Sequence, residues 1–500
     1  VTRRLPTLGL CALLALGSCS PAADQHEPQS AEPAGSAKAS ILFVLIDTLR
    51  ADHTSLIGHR SGRSTTPFLD SLADESWVFN RAYSAASWTR ASVASIFSSQ
   101  VPSSNGCETR YGVLADNIET WTEALDGAGY DTRAVITNGN VLEQHGFAQG
   151  FDAFERHSDF LRNAYADVTK LTEPALRAFD LAGDGPNFIY LHYVDPHDPF
   201  EEHPESDWDP AYAGDMTGSR DDLEAYRWEA PADGGSRQRV IDLYDGEILW
   251  FDGHMRRLFE KLELRGILDE SWIVFTSDHG EGLWDHRIQA HGQEVFEEQI
   301  HVPLFIRPPG GLSARVTMDE PISLIDLAPT MLDLVDVPAP PGFAGRSWAP
   351  WMHGTGEAPV RPVIVDEKLD NVHLAAIIDG HEKLILDFVR PEDGYGPAQG
   401  SPLRSALYFD LDANPTEDLS LAVDVRKSRH MSGVRLHREL VAQLTAAEEA
   451  RRGLGEIRVA EESEELLEEL RRMGYFGDIM PDREADASGD ETSDPMDDSH

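Results

Sequence analysis

The sequence predicts an α/β fold: a doubly wound, mostly parallel sheet followed by a smaller C-terminal α+β domain. Three observations predict it. Short apolar runs recur between residues 41 and 307, each the length of a strand buried on both faces. Stretches with apolar residues three and four apart separate them, the alternation of a sheet with helical crossovers. After Pro341 the pattern shifts to short strand-like runs joined by turn residues, which indicates a small antiparallel sheet.

The chain opens with VTRRLPTLGLCALLALGSCS, an arginine pair, an apolar run over residues 8–16 and then small residues. This is the pattern of an export signal, and the run is shorter than the roughly 20 residues a membrane-spanning helix needs. Leu16-Gly17-Ser18-Cys19 resembles the bacterial lipobox, whose cysteine is lipidated after cleavage. Residues 1–19 are thus expected to be a signal peptide with a lipobox, and residues 20–38, rich in Pro, Ala, Ser and Gly, a flexible tether. The implied location is that of an exported lipoprotein of the bacterial cell envelope or periplasm, attached to membrane by its lipid anchor only. Loss of Cys11 with the signal would leave Cys107 without an internal disulfide partner.

The main domain is expected over residues 39–358. Its strands are ILFVLID (41–47), TRAVITN (132–138), NFIYLHYVD (187–195), SWIVFTSD (271–278) and VPLFIR (302–307). Helices are expected at TTPFLDSLADES (65–76), NIETWTEALDGAG (117–129), RVIDLYDGEILWFDGHMRRLFEKLELRG (239–266) and IDLAPTMLDLVDV (325–337). The C-terminal domain, 359–476, takes its strands from VIVDEK, NVHLAAIID, HEKLILDF and ALYFDL, followed by charged helix over 435–473. Residues 477–500 are expected to be an acidic disordered tail. The 87 acidic side chains against 42 basic ones, net −45, make a phosphate backbone an unfavourable partner, so nucleic acid is excluded.

Ligands of open α/β sheets sit outside the carboxyl ends of the strands, so the residues that end the apolar runs are candidate site residues. The first run ends at Asp47, the third leads into HYVDPHDP with His197, and the fourth ends at Asp278-His279. One aspartate at a strand end is ordinarily a cap or loop start. Three runs delivering carboxylate or imidazole to one edge suit a divalent cation. Imidazole with carboxylate fits zinc or manganese, whereas calcium prefers more oxygens. The stretch SWTRASVASIFSS (87–99) then offers Thr89, either a polar helix cap or a hydroxyl activated by that cation, with a helix expected to begin near Ser92. His291, just before the last main strand, and His197 are candidates to steady or protonate a charged oxygen. His192, His286 and His301 read as structural.

With these residues in place, the chain resembles the sulfatase family of the alkaline phosphatase superfamily. The resemblance runs from ILFVLIDTLRAD through SWTRASVASIFSS, FIYLHYVDPHDPF and TSDHGEGLWDH to SLIDLAPTMLDL, GRSW and ALYFDLDANPTED. It implies an alkaline-phosphatase-like sandwich, metal ligands Asp47, Asp278 and His279 with Thr89 beside them, and a substrate-contacting His197. His291 falls where many sulfatases carry a sulfate-holding lysine. Thr89-Arg90-Ala91-Ser92-Val93 departs from the family's Cys/Ser-x-Pro-Ser-Arg, so formylglycine is not expected and a bare threonine takes the nucleophile's place. A second lysine is also missing, with Asn138 in its neighbourhood. Asn138 and Ser92 are therefore expected to contact substrate.

The reading is a hydrolase of sulfate or phosphate esters, using one divalent cation (Ca2+, Mn2+ or Zn2+) and acting on a small-molecule or glycan ester. A phosphoryl transferase of the same superfamily, or a non-catalytic binder of sulfated or phosphorylated glycans, are the alternatives. The loops over residues 155–167 and 201–235 are expected to line or cover the site.

Overall fold

The structure, a computed structural model, describes residues 38–157, 168–183, 185–286, 288–370, 372–389, 403–454, 460 and 466. The signal peptide with Cys19, the tether up to residue 37, most of the 155–167 loop and the acidic tail lie outside the described residues.

The strands of the main domain are β1 (Ser40–Ile46), β2 (Trp77–Tyr83), β3 (Asp131–Ile136), β4 (Ala153–Arg156), β5 (Asn187–Tyr193), β6 (Ser271–Ser277), the short pair β7 (Gly282–Leu283) and β8 (Gln289–Ala290), then β9 (His301–Arg307), β10 (Val316–Met318) and β11 (Ile322–Ser323). The large sheet has the order β10-β2-β9-β6-β1-β5-β3-β4, with β11 also on β2. Its pairs are parallel except that β9 runs antiparallel to both β2 and β6. VPLFIR is thus the reversed strand of a mostly parallel sheet.

Alternation along β1 shows why its run is continuously apolar. Ile41, Phe43 and Leu45 enter the core on one face, while Leu42, Val44 and Ile46 enter the core on the other. The first face is covered by the helices Thr89–Ser98, Trp121–Gly127 and Leu327–Leu334, with Phe43 set edge-on to Trp121 at 5.3 Å. Pro67–Ala73, Val168–Leu181 and the 30-residue helix Gly234–Glu263 cover the second. Each fully buried aliphatic or phenyl side chain contributes about 1.5–3 kcal/mol relative to exposure, so this two-faced core is the main force holding the sheet.

A second sheet follows, all antiparallel, in the order β12 (Val363–Glu367), β13 (Leu374–Asp379), β14 (Glu382–Phe388), β15 (Leu403–Asp410) and β16 (Val423–Asp424). The helix Met431–Arg452 buries Leu436, Leu440 and Leu444, spaced by four, against its Ala375, Ile377, Leu384 and Leu386. Lys383, fully buried, joins this sheet to the main domain by pairing with Glu297 at 3.0 Å and Glu417 at 2.8 Å.

Candidate active site

Strands β5, β1 and β6 are adjacent and parallel, so their carboxyl ends share one edge. Asp47 and Asp278 each follow the last residue of a strand, and both are fully buried. Their main-chain N–H groups continue the ladder, Asp47 to Tyr193 O at 2.9 Å and Asp278 to Ile46 O at 3.1 Å. Thr48 then takes φ 55°, the left-handed region that a β-branched residue rarely adopts. The turn brings its N–H to 3.3 Å from Asp278 Oδ1.

His279 is held in one tautomer. Its Nδ1–H donates to Gly280 O at 2.9 Å, which leaves the Nε2 lone pair facing the site. That nitrogen lies 3.3 Å from Thr89 Oγ1, 3.5 Å from Asp278 Oδ2 and 3.6 Å from Asp47 Oδ1. Donors about 2.0–2.2 Å from a common ion stand roughly 3.0–3.6 Å from one another, so these separations fit one divalent cation among them. Asp278 Oδ2 is buried and accepts no hydrogen bond among the described residues. Burial, then the charge of Asp47, hold the Asp278 carboxyl well above the usual carboxylate range. Burial, then neighbouring His291 and His197, keep His279 well below its ordinary value and hence neutral, the form a metal ligand needs.

Thr89 is placed by the second sheet. Glu367, at the end of β12, accepts from Ser87 N–H at 2.8 Å and Ser87 Oγ–H at 2.9 Å, while Asp366 N–H donates to Ala85 O at 2.9 Å. Trp88 is extended, and the helix begins at Thr89 itself, three residues earlier than expected. The Ser92 hydroxyl donates to the main-chain oxygen of Asp278 at 2.6 Å and so pins the metal-side loop. Ser95 donates to Ala91 O within the helix. Asn138 likewise holds a neighbour in place. Its amide N–H donates to Asp47 Oδ2, and its Oδ1 accepts from Asn140 N–H at 2.7 Å, which orients a carboxylate of the cation site.

Two histidines form the next layer. His197 and His291 rings stand 5.0 Å apart, and His291 lies 4.5 Å from His279. His197 Nδ1 lies 2.8 Å from Asp198 O and 3.2 Å from Asp198 Oδ1, and Arg220 fixes that carboxylate at 3.1 Å. Burial alone would lower His197; the hydrogen bond and charge of Asp198 outweigh it and raise the imidazole to about 9. His291 is the opposite case, held well below its ordinary value by burial and then by His197. Glu281, fully buried, reaches His291 Nδ1 at 3.2 Å. Asp198, Arg220 and Glu281 were not foreseen. The signals available were Asp198 next to His197 and Glu281 two residues beyond His279.

His192, His286 and His301 are each held by a protein partner. His192 Nδ1 lies 2.8 Å from Tyr190 Oη, His301 Nε2 lies 2.8 Å from Asn80 O, and His286 pairs with Glu298 at 2.6 Å. A second buried group, His53, His59 and Asp245, has metal-ligand spacing but a different proton arrangement. Ser61 N–H donates to His59 Nδ1 at 3.0 Å, which puts the ring proton on Nε2, 3.2 Å from Asp245 Oδ2. Arg63 also occupies Asp245 Oδ2 at 2.6 Å. This is a hydrogen-bonded ion network that ties the segment after β1 to the long helix.

Comparison with known proteins gives the family and the fold. The sulfatase family model matches residues 39–337. An uncharacterized sulfatase, YidJ of Escherichia coli K12, is 27 % identical over 362 residues, 62 % of this chain and 70 % of that one. Among solved structures, a phosphonate monoester hydrolase of Agrobacterium radiobacter superposes with a TM-score of 0.63 at 20 % identity, covering 82 % of this chain and 96 % of that one. A protein solved with its substrate D-glucosamine-2-N,6-O-disulfate gives 0.64 at 19 % identity, covering 84 % and 99 %. The chain belongs to the sulfatase family of the alkaline phosphatase superfamily and is a sulfatase-like ester hydrolase.

Proposed function

We propose that this hydrolase cleaves sulfate or phosphate esters with the unmodified Thr89 as nucleophile. The observation that carries the reading is Thr89 Oγ1 at 3.3 Å from His279 Nε2, with Asp278 Oδ2 and Asp47 Oδ1 at 3.5 and 3.6 Å from the same nitrogen. Asp47, Asp278, His279 and Thr89 would hold one divalent cation. The mixed oxygen and nitrogen donors suit Mn2+ or Zn2+ better than Ca2+. Such a cation lowers the pKa of a bound hydroxyl and draws charge from the ester oxygens.

The chain's own residues supply the rest. Thr89 gives its hydroxyl proton to water as Oγ forms a bond to sulfur or phosphorus and the ester bond breaks. The departing alkoxide takes a proton from His197, the imidazole held cationic by Asp198, and His197 is reprotonated when water later cleaves the threonine ester. His291, oriented by Glu281, faces the same layer and positions the non-bridging oxygens. Water then cleaves the threonine ester and returns the hydroxyl. Transfer to an acceptor alcohol in place of water is the second reading, favoured by the same unmodified hydroxyl. The closely spaced cation donors argue against a pure glycan binder, which has no need of them.

Thr89→Ala is expected to abolish turnover of aryl sulfate, phosphate monoester, diester and phosphonate ester substrates while keeping the bound metal. Full activity in that variant removes Thr89 as nucleophile. Lipid attachment through Cys19 remains part of the proposal, supported by the Leu-Gly-Ser-Cys stretch; the mass of the N-terminal peptide from membranes tests it. Among the described residues no helix is long and apolar enough to cross a membrane.

A further inference from the structure

The segment 220–228, part of the long 201–235 connection, is fastened to the supports of His197 and His291. Arg220 holds Asp198, the partner of His197, at 3.1 Å. Six residues on, Trp284 Nε1–H donates to Tyr226 O at 2.7 Å, and Gln289 N–H donates to Arg227 O at 2.9 Å. Those two bonds fasten the segment to the β7–β8 hairpin, which leads directly into His291.

Arg227 stands apart from the arginines around it. Arg50 is spent on Asp52 and Asp285, Arg110 on Asp370, Arg220 on Asp198, and Arg237 on Leu283 O. The Arg227 guanidinium makes no hydrogen bond or ion pair among the described residues, and rests only over the ring of Trp228 at 5.9 Å. The Arg227 main-chain oxygen accepts from Gln289 N–H, two residues before His291, and Arg227 follows Arg220, which holds Asp198, by seven residues, so it lies between the supports of the two histidines. An uncommitted guanidinium beside a site for an anionic ester, in a chain of net charge −45, has a specific electrostatic use.

We propose that Arg227 binds a second anionic group, a sulfate, phosphate or carboxylate, carried on the leaving-alcohol side of the substrate. The proposal rests on the ester-hydrolase reading above. In-line displacement puts the leaving oxygen opposite Thr89, and the segment that carries Arg227 supports His197 through Arg220 and Asp198 and is bonded to the hairpin that leads into His291. The proposal accordingly sets Arg227 beyond the scissile bond, on the alcohol side. The substrate class is a polyanionic alcohol, such as a sugar bearing two acidic groups.

The test uses full-length, manganese-loaded Thr89→Ala protein, which does not consume the probes, titrated calorimetrically with doubly sulfated monosaccharides and their singly sulfated counterparts. Adding Arg227→Gln is expected to weaken the best doubly sulfated probe by about five- to tenfold, as for a partly exposed charge-assisted contact, and the singly sulfated one by less than twofold. Arg227→Lys is expected to recover part of the loss, because the charge stays and the fork geometry goes. Equal losses for both probe classes, no loss for either, or failure of the parent protein to bind any doubly sulfated probe more tightly than its singly sulfated counterpart would overturn the proposal. Turnover of the ester panel by wild-type protein is a separate readout. Inert wild type with Arg227-dependent binding intact sinks the hydrolase reading alone.

Discussion

The cation site makes a stability prediction that needs no substrate. In Asp278→Asn one of two buried, facing carboxyls becomes neutral without change of shape. Because burial and the charge of Asp47 hold the Asp278 carboxyl well above the ordinary carboxylate range, it favours the folded state only in its protonated form. That contribution is fully present below the unfolded value and is lost as pH rises. At pH 7 the loss has a ceiling of about 4 kcal/mol, reached when the folded group stays protonated throughout. Metal-free Asp278→Asn is therefore expected to be more stable than metal-free wild type at pH 7, by about 1–4 kcal/mol, with the gap shrinking toward pH 4. Added Mn2+ at a hundred times its dissociation constant stabilises wild type by about 2.7 kcal/mol, or roughly 3 °C in Tm for a protein of this size, and the variant far less. Differential scanning calorimetry with chelator and with Mn2+ checks both halves. If metal-free Asp278→Asn proves less stable than wild type, or gains as much from Mn2+, the facing carboxylates are not a cation site.

Three further outcomes follow from named contacts. Asn138→Ala removes the amide that orients Asp47 and is expected to weaken Mn2+ binding about 10–100-fold, as outer partners of metal ligands do, with a smaller effect on KM at saturating metal; calorimetric titration reads it. His286, paired with Glu298 at 2.6 Å, is raised to about 9: burial lowers it, but the Glu298 bond prevails. Its stabilisation, at most about 3 kcal/mol, is present below pH 6.5 and lost as pH rises through 9, so Glu298→Gln should flatten that part of the denaturation profile. Lys383→Met leaves Glu297 and Glu417 buried without their shared cation and is expected to cost about 3–5 kcal/mol in chemical denaturation; a change below 1 kcal/mol would show that the pair does not hold the second sheet.

Much of this architecture was legible because burial on both faces leaves a strong mark. β1, β5, β6 and β9 carry continuous apolar runs, β3 a shorter one at its carboxyl end, and the strands of the second sheet appear as short runs between turns. β2 escaped notice: WVFNRAY places Asn80 and Arg81 in its middle and follows a helix without a clear turn. The direction of β9 is set by packing against β2 and β6, which no local pattern encodes. The strand-end rule found Asp47, Asp278 and His279, since carboxyl ends of parallel strands converge by geometry. It does not reach the partners of Ser92 and Asn138, which lie 186 and 91 residues away, or Glu367, which accepts from Ser87 across 280 residues. Such polar contacts depend on which loops meet after folding, and short polar residues leave no periodicity to read.

The most direct measurement is the mass of the peptide containing Thr89 after acid quench of the manganese-loaded enzyme during turnover of an activated ester. A sulfuryl or phosphoryl group on residue 89, absent from Thr89→Ala, is the predicted result. Turnover with residue 89 never labelled, or undiminished in Thr89→Ala, would contradict a threonine nucleophile.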